Sequence, residues 1–435
     1  MQRRRRIIAV LSLLLLGFAL VPVFQDNLLA PADAYFFSNW DRESQALVLA
    51  KIEQDATTGS STPFGLTNAQ PQVLSPYDTF DGLRAGAVPK ATSYAPYPSS
   101  LGVQGFLFEG LYRAGCSSLT CLNTVESAGF SIVLVLFAAL LWLAVSRSLA
   151  SVVLFSSLFS PWTVSAAHNL YWVPWSWLLP AAAACALTLA RTRRWRVVWF
   201  VIIGLTTALK ASMGYEFLSS TTLLATSIPL LAHVVHGRRV DRQLVRTMAI
   251  VFASCVAGFL VVLVIHAFVV GNGSAAAGLQ TIAHDALKRT YGSTSLAAPG
   301  DGSTVRSLTL SPLAVLSTYL VSWPTSVFAF DIGAAPYPPF ALGRSSFWVM
   351  VVVAAAIIAV DLIRGNPRWR RNAVVFVATA SAPLSWFVLA KSHSATAIGV
   401  NYVLWYLIFI PALVWIIGEA AATSTRARRV TNSRT

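Results

Sequence analysis

Residues 3–24 read RRRRIIAVLSLLLLGFALVPVF, four arginines followed by eighteen residues among which only Ser12 carries a polar side chain. A helix needs roughly 20 apolar residues to cross the hydrocarbon core of a bilayer. The run is long for the apolar part of a signal peptide, and no small-residue cleavage site follows it closely. We therefore predict a retained first span, residues 7–24, with its arginines in the cytoplasm.

The composition indicates a polytopic membrane protein rather than a chain with a single anchor. Hydrophobic residues make up 56% and charged residues 11% of the chain, whereas a soluble protein is roughly 25% charged. The net charge of +15 does not indicate nucleic acid, because the arginines lie in short clusters beside apolar runs. Such clusters are typical of orientation signals and of contact with anionic lipid headgroups. The predicted partner is the lipid bilayer, not nucleic acid.

Apolar runs of similar length recur along the whole chain. The predicted spans are 7–24, 129–146, 149–165, 171–190, 197–213, 219–236, 247–270, 346–363, 373–390 and 400–418. Counting 312–330 as a crossing would place the arginines of 364–371 outside, so we predict a re-entrant or interfacial segment there. The predicted fold is an all-α membrane protein with ten or eleven transmembrane helices.

The arginine clusters also predict the topology. Placing every cluster inside leaves only Asp241, Asp361 and Glu419 of the 17 acidic residues on that side. Two large outer segments result, 25–128 and 271–345, which flank transmembrane helices two to seven at 129–270. The last spans occupy 346–418, before a basic cytoplasmic tail at 419–435. Any chemistry is therefore expected on the outer face.

The four cysteines fall into two pairs. Cys116 and Cys121 lie in the first outer segment, where an oxidising compartment would allow a disulfide. Cys185 and Cys255 lie within predicted spans and are expected to be packing residues. The sequence contains no His/Cys metal motif and no soluble nucleotide-binding fingerprint.

The strongest catalytic candidates lie in DAYFFSNWDRESQALVLAKIEQD, residues 33–55. The apolar spacing from Asp41 to Ile52 predicts a short amphipathic helix along the membrane surface, with Asp41 and Glu43 at its start. A carboxylate there could act as general base toward a hydroxyl. Helix capping would equally explain both acids, and the two roles are compatible.

Other polar residues fall at the outer ends of predicted spans, where buried or interfacial charges are expensive and are usually functional or paired. Aromatic rings and carboxylates of the kind that bind sugars occur in 77–112. An aromatic belt explains Tyr171 and Trp172 but not His168 and Asn169. A cation beside an imidazole suits a phosphate leaving group. The candidate sugar- and acceptor-binding residues are Asp81, Gln104, His168, Asn169, Trp172, Tyr215, Glu216 and Asn401, and the candidate phosphate-binding residues are Lys210, Arg289, Lys391 and His393.

This layout resembles the GT-C superfamily of membrane glycosyltransferases. The likeness lies in an inward N-terminus, a carboxylate soon after the first span, within WDRES (40–44), about ten spans, and a cationic set near the C-terminal end, LAKSHS (389–394). The resemblance implies sugar transfer from a polyprenyl-phosphate donor to a glycan, lipid or protein acceptor on the outer face of a bacterial inner membrane. The acid of the family would correspond to Asp41.

The resemblance also implies a mechanism. Asp41 would remove the acceptor proton in one inverting displacement, and Lys210, Arg289, Lys391 or His393 would neutralise the departing phosphate. Glu43 departs from the adjacent acid pair common in the family, because Arg42 intervenes. No cofactor is assigned with certainty, and a divalent cation, Mg²⁺ or Mn²⁺, could help hold the phosphate on exposed acids such as Asp41, Glu43 and Asp81. The alternatives are a transporter or lipid-linked-glycan flippase, a scaffold, and an acyl or phosphoglycerol transferase.

Overall fold

The apolar runs fold into helices, because a helix pairs its backbone hydrogen bonds within one segment. The structure, a computed structural model, describes residues 2–30, 32, 34–59, 62–71, 74–297, 302–322 and 347–432. Helices account for 77% and strands for 2% of it, which confirms the expected helical fold.

The first part of the chain forms α1 (Gln2–Ala19), α2 (Val21–Gln25), α3 (Ala34–Asn39), α4 (Arg42–Thr58), β1 (Thr67–Gln70), α5 (Leu74–Thr79), β2 (Ser93–Pro96) and α6 (Val103–Arg113). The helical bundle follows as α7 (Leu119–Ala144), α8 (Arg147–Phe159), α9 (Pro161–Ala166), α10 (Trp175–Leu189), α11 (Arg193–Met213), α12 (Leu218–Val235) and α13 (Arg242–Val270). The remainder forms α14 (Ala275–Arg289), α15 (Gly302–Thr309), α16 (Pro312–Ser317), α17 (Phe347–Ile363), α18 (Arg368–Leu389), α19 (Lys391–Thr396), α20 (Ile398–Asn401) and α21 (Phe409–Asn432).

Each of the ten predicted spans coincides with an apolar helix. Among the described residues, five helices are long and apolar enough to cross a membrane: α7, α11, α12, α13 and α18. The bent pair 398–406 and 409–423, with 44° between its halves, would make a sixth. Shorter apolar helices occupy the positions of the other four, at 11–25, in α8, in α10 and in α17. These helices indicate a membrane protein.

The bundle packs around α10, which contacts α7, α11 and α12. Two glycines bring α11 and α13 together, since a Cβ on Gly258 would lie 2.1 Å from the carbonyl oxygen of Gly204. Such close approach of two helix backbones requires small residues at the contact, as is common between helices in membranes.

The helix predicted at 41–52 is present as α4, but the prediction that it is amphipathic and lies along a surface is wrong. Every residue of α4 from Val48 to Asp55 is buried, so all faces of the helix are covered, by β1, α5 and α6. The charged side chains are paired inside: Lys51 lies 2.5 Å from Asp55, and Glu53 accepts a hydrogen bond of 2.7 Å from Thr79. The Lys51–Asp55 ion pair and the hydrogen bond to Glu53 lower the cost of a burial that the hydrophobic spacing did not indicate.

The expected disulfide between Cys116 and Cys121 is present, and it closes the connection between α6 and α7. Cys185 and Cys255 are free and buried, as predicted. The predicted re-entrant segment 312–330 is described only to Ser322, as α16 followed by a π-helical turn at 318–322. Residues 323–330 lie outside the described residues.

We predict that Gly258→Ala lowers the stability of the protein by about 1–3 kcal/mol, because the added methyl group forces α11 and α13 apart. Gly418→Ala is the matched control, since Gly418 also lies in an apolar helix but has open space around its Cβ position. Thermal unfolding in detergent measures the difference. Equal unfolding temperatures for the two variants would contradict the close contact.

Candidate functional site

The turn between α9 and α10 organises the site through one amide side chain. The Oδ1 atom of Asn169 accepts hydrogen bonds from the backbone N–H groups of Tyr171 (3.0 Å) and Trp172 (3.3 Å). Its Nδ2 atom donates to the backbone oxygens of Trp40 (3.0 Å) and Asp41 (3.3 Å). Asn169, which is 1% exposed, therefore joins this turn to the start of α4.

Asp41 immediately precedes α4 in a left-handed conformation, with φ 44° and ψ 51°. This backbone is unusual for a residue other than glycine and differs from the extended conformation of most N-cap residues. The indole N–H of Trp172 donates to Oδ2 of the carboxylate. Burial raises the pKa of Asp41, and hydrogen bonds from Ser44 and Trp172 only partly oppose that rise. The result is a half-buried carboxylate with increased proton affinity.

A second charged group lies on the other side of Tyr171. The guanidinium of Arg289 donates to Oε1 of Glu216 (2.8 Å) and to the hydroxyl of Tyr97 (3.0 Å). The hydroxyl of Tyr171 donates to the same Glu216 oxygen (3.2 Å). Burial alone would raise the pKa of Glu216, but the nearby positive charges of Arg289 and Lys210 more than offset it and lower this pKa. The pair is therefore ionised.

Aromatic rings connect Asp41 with His393. Trp172 stacks on Phe217 with 4.7 Å between ring centroids, and Phe217 meets the edge of Trp386 at 5.4 Å. Trp386 in turn lies 5.7 Å from the His393 ring. These contacts place the polar groups of the first and last parts of the chain at one end of the bundle.

His393 is held beside the amide of Asn401. The Asn401 Nδ2 atom lies 3.2 Å from Nδ1 of His393, while Trp386 donates to Oδ1 of the same amide (2.9 Å). Burial, together with the smaller effect of the positive charge of Arg289, lowers the pKa of His393 to about 4. The imidazole is therefore neutral at neutral pH and can offer one N–H group as a hydrogen-bond donor.

An apolar cavity of about 290 Å³ adjoins the ion pair. Its walls come from α12, α13, α14 and α18, and Glu216 and Arg289 form part of its polar edge. The apolar lining includes Tyr215, Leu218, Phe259, Leu263, Ile282 and Trp386. Asp285 also lines the cavity, so its polar edge carries two carboxylates and one guanidinium. An apolar cavity with a charged edge suits a ligand that has a hydrocarbon part and a polar group.

Several predicted site residues lie outside this group of side chains or contact the backbone next to it. Asp81 accepts from the backbone N–H of Leu119 (2.7 Å) and caps the start of α7. Gln104 is buried and donates to the carbonyls of Tyr171 and Met213. Glu43 is exposed in the first turn of α4, and His168 packs against Phe37. The side chains of Asp81, Gln104 and His168 therefore contact backbone groups or a packed ring, whereas that of Glu43 faces solvent.

Two of the predicted phosphate-binding residues, Lys210 and Lys391, donate hydrogen bonds to backbone carbonyls. Lys210 donates to the oxygen of Gly214 (2.8 Å), which orders the turn that carries Tyr215 and Glu216. Lys391 donates to the oxygens of Leu308 (2.6 Å) and Leu310 (2.8 Å) at the end of α15. Although Lys391 and His393 are neighbours in sequence, only the histidine lies within the aromatic cluster.

Tyr97 belongs to the aromatic segment 77–112 in which the sequence indicated sugar-binding residues. Two further residues that shape the site, Phe217 and Trp386, were not predicted. Phe217 follows Glu216 directly, so proximity in sequence was an available signal. Trp386 lies within α18, and nothing in the neighbouring sequence distinguishes it from a tryptophan at the membrane interface.

Within the described ranges, no group of three or more His, Cys, Asp or Glu side chains is arranged to hold a metal ion. The exposed acids suggested for Mg²⁺ or Mn²⁺ do not converge, and no step is assigned to a metal. No family model, curated protein or solved structure matches the chain.

We predict that Glu216→Ala destabilises the protein by about 1–3 kcal/mol, because it leaves Arg289 without its counter-charge and the Tyr171 hydroxyl without its acceptor. Thermal or denaturant unfolding of Glu216→Ala, Arg289→Ala and the double variant gives the coupling free energy. Glu43→Ala removes an exposed carboxylate and serves as control. Additive losses in the double variant would show that the pair is not coupled.

We also predict that acid destabilises the protein partly through His393. The pKa of this residue is lowered from 6.5 to about 4, so the unfolded chain binds a proton in that interval that the folded chain does not. Stability should therefore fall as the pH drops from about 6.5 to about 4, and His393→Asn should reduce that fall. Unfolding temperatures across this interval test it, with the exposed His284→Asn as control. Identical acid sensitivity in both variants would contradict burial of a neutral imidazole.

Proposed function

We propose that the chain is a membrane glycosyltransferase that moves a sugar from a polyprenyl-phosphate donor to a glycan, lipid or protein acceptor. The observation that carries the proposal is the meeting of two features at one end of the bundle. A half-buried carboxylate, Asp41, is held by Trp172, and an apolar cavity edged by Arg289 lies across Tyr171 from it. The arrangement supplies a base and a place for an amphiphilic phosphate.

The proposed orientation places this end outside the cytoplasm of a bacterial inner membrane. The arginine clusters support an inward N-terminus and C-terminal tail, because cationic loops are retained in the cytoplasm. The disulfide between Cys116 and Cys121 supports an oxidising compartment at the start of α7. In this arrangement the ten apolar helices cross the membrane, as in the GT-C proteins that the sequence resembles.

The proposed donor site combines the apolar cavity with two polar side chains. Prenyl units would occupy the cavity between α12, α13, α14 and α18, and the phosphate would meet the remaining N–H groups of Arg289. His393 would donate one further hydrogen bond. Lys210 contributes positive potential through its position beside Glu216, while Lys391 holds the α15 segment in place.

The proposed reaction is a single inverting displacement. The acceptor hydroxyl gives its proton to Asp41 as its oxygen bonds to the anomeric carbon. The bond between that carbon and the phosphate oxygen breaks, and the polyprenyl phosphate leaves with both electrons, its charge stabilised by Arg289. Burial raises the pKa of Asp41 toward the working pH, which favours proton transfer at this step. Glu43 points into solvent and receives no role in this step.

We predict that Asp41→Asn lowers the transfer rate by about 10²–10⁴-fold, the usual contribution of a positioned general base. The assay uses purified protein in lipid nanodiscs and labelled sugars on a panel of polyprenyl phosphates. Glu43→Gln changes the neighbouring exposed acid and should transfer at the wild-type rate. Both variants must keep the wild-type unfolding temperature.

Transfer that survives Asp41→Asn would reject Asp41 as the base while retaining the transferase. Absence of transfer by wild-type protein from every donor would reject the transferase and favour the transporter or flippase. A further variant, Arg289→Gln, tests the donor site. It should weaken binding of the polyprenyl-phosphate donor and leave proton transfer to Asp41 unchanged.

A further inference from the structure

A second cavity, of about 520 Å³, lies at the opposite, arginine-rich end of the bundle. It is formed where the ends of α7, α10, α11, α12 and α13 meet, and we refer to it as the basal cavity. Its charged and imidazole-bearing wall consists of Arg196, His233, His236, Arg238 and Asp241. None of these residues takes part in the proposed transfer reaction.

The charge of the basal cavity favours an anion. Arg196 and Arg238 carry permanent positive charges, and Asp241 supplies one negative charge. The Asp241 carboxylate already accepts the backbone N–H of Leu244 (2.7 Å) as the cap of α13. The cavity therefore keeps a net positive charge even when both imidazoles are neutral, and a phosphate would find guanidinium groups at its wall.

The cationic groups are partly ordered before any ligand binds. One guanidinium N–H of Arg196 donates to the Thr247 hydroxyl (2.9 Å), which uses one of its five donors. His233 donates through Nε2 to the backbone oxygen of Arg239, and His236 donates through Nδ1 to that of Ala232. In the neutral form of each ring the second nitrogen is an acceptor, so the donors to a phosphate are the guanidinium groups of Arg196 and Arg238. Ordering of side chains in advance reduces the entropy lost on binding.

The opposite wall is apolar and continues onto the outer surface of the bundle. Leu143, which is 64% exposed, and Leu189, which is 40% exposed, line the cavity at the ends of α7 and α10. Exposed leucines beside a cationic cavity at the end of membrane helices suit an amphiphile, with its phosphate inside and its acyl chains along the leucines.

We propose that the basal cavity binds the phosphate group of an anionic phospholipid. A phospholipid and a free phosphate would both place a phosphate group against Arg196 and Arg238. The leucine wall favours the phospholipid, because a free phosphate has no hydrocarbon part to contact it. The volume fits a headgroup, since small-molecule sites commonly occupy about 300–1,000 Å³. This site does not rest on the transferase activity.

The test measures binding of phosphatidylglycerol to the purified full-length protein by native mass spectrometry in detergent, with phosphatidylcholine as the zwitterionic comparison. Wild-type protein should retain phosphatidylglycerol selectively. Arg196→Gln and Arg238→Gln should each weaken it about fivefold, the effect expected for one basic residue near a headgroup. Arg370→Gln lies in another arginine cluster, where its guanidinium packs on Trp369, and should leave binding unchanged.

One further variant keeps the result interpretable. Thr247→Val removes the hydrogen bond to Arg196 but keeps both charges, so it should retain phosphatidylglycerol selectively. Arg238 is exposed, so its substitution should not affect folding. Equal binding by wild type, the two arginine variants and Arg370→Gln would overturn the proposal. Competition by inorganic phosphate that depends on Arg196 and Arg238, without retention of phosphatidylglycerol, would overturn the phospholipid as the source of the phosphate.

Discussion

The arrangement of the site depends on one buried side-chain amide, that of Asn169, which forms hydrogen bonds with backbone groups of two segments. A chain that turns near the hydrocarbon region cannot leave backbone N–H and C=O groups unpaired, because no water is available to replace the lost hydrogen bonds. Asn169 satisfies two donors of its own turn and two acceptors at the start of α4. The position of Asp41 beside Trp172 follows from these four hydrogen bonds.

The helical part of the fold could be predicted because membranes impose simple rules on sequence. A span needs a long apolar run, so the positions of the ten apolar helices are visible in composition alone. The disulfide joins cysteines five residues apart, and such local pairing is also visible. The candidate site could be predicted only as a set of polar residues at one end of the bundle, and Asp41, Glu216, Arg289 and His393 do gather there.

The remaining features depend on tertiary contacts that periodicity does not encode. α4 has acids and a lysine at positions that look solvent-exposed, yet Lys51, Glu53 and Asp55 are buried because each finds a partner. The Glu216–Arg289 pair joins residues 73 positions apart, and no local pattern indicates such pairing. Lys391 resembles a phosphate ligand in sequence but caps the carbonyls at the end of α15, a use that only the folded chain reveals.

The indole N–H of Trp40 donates to the backbone oxygen of Gly399 (3.2 Å), a contact between residues 359 positions apart. In a chain inserted into a membrane during its synthesis, α3 and α4 are made long before the last helices leave the ribosome. The contact between Trp40 and Gly399 can therefore form only when translation is almost complete. Assembly of this end of the molecule becomes a late event in biogenesis, set by the order of synthesis rather than by local folding.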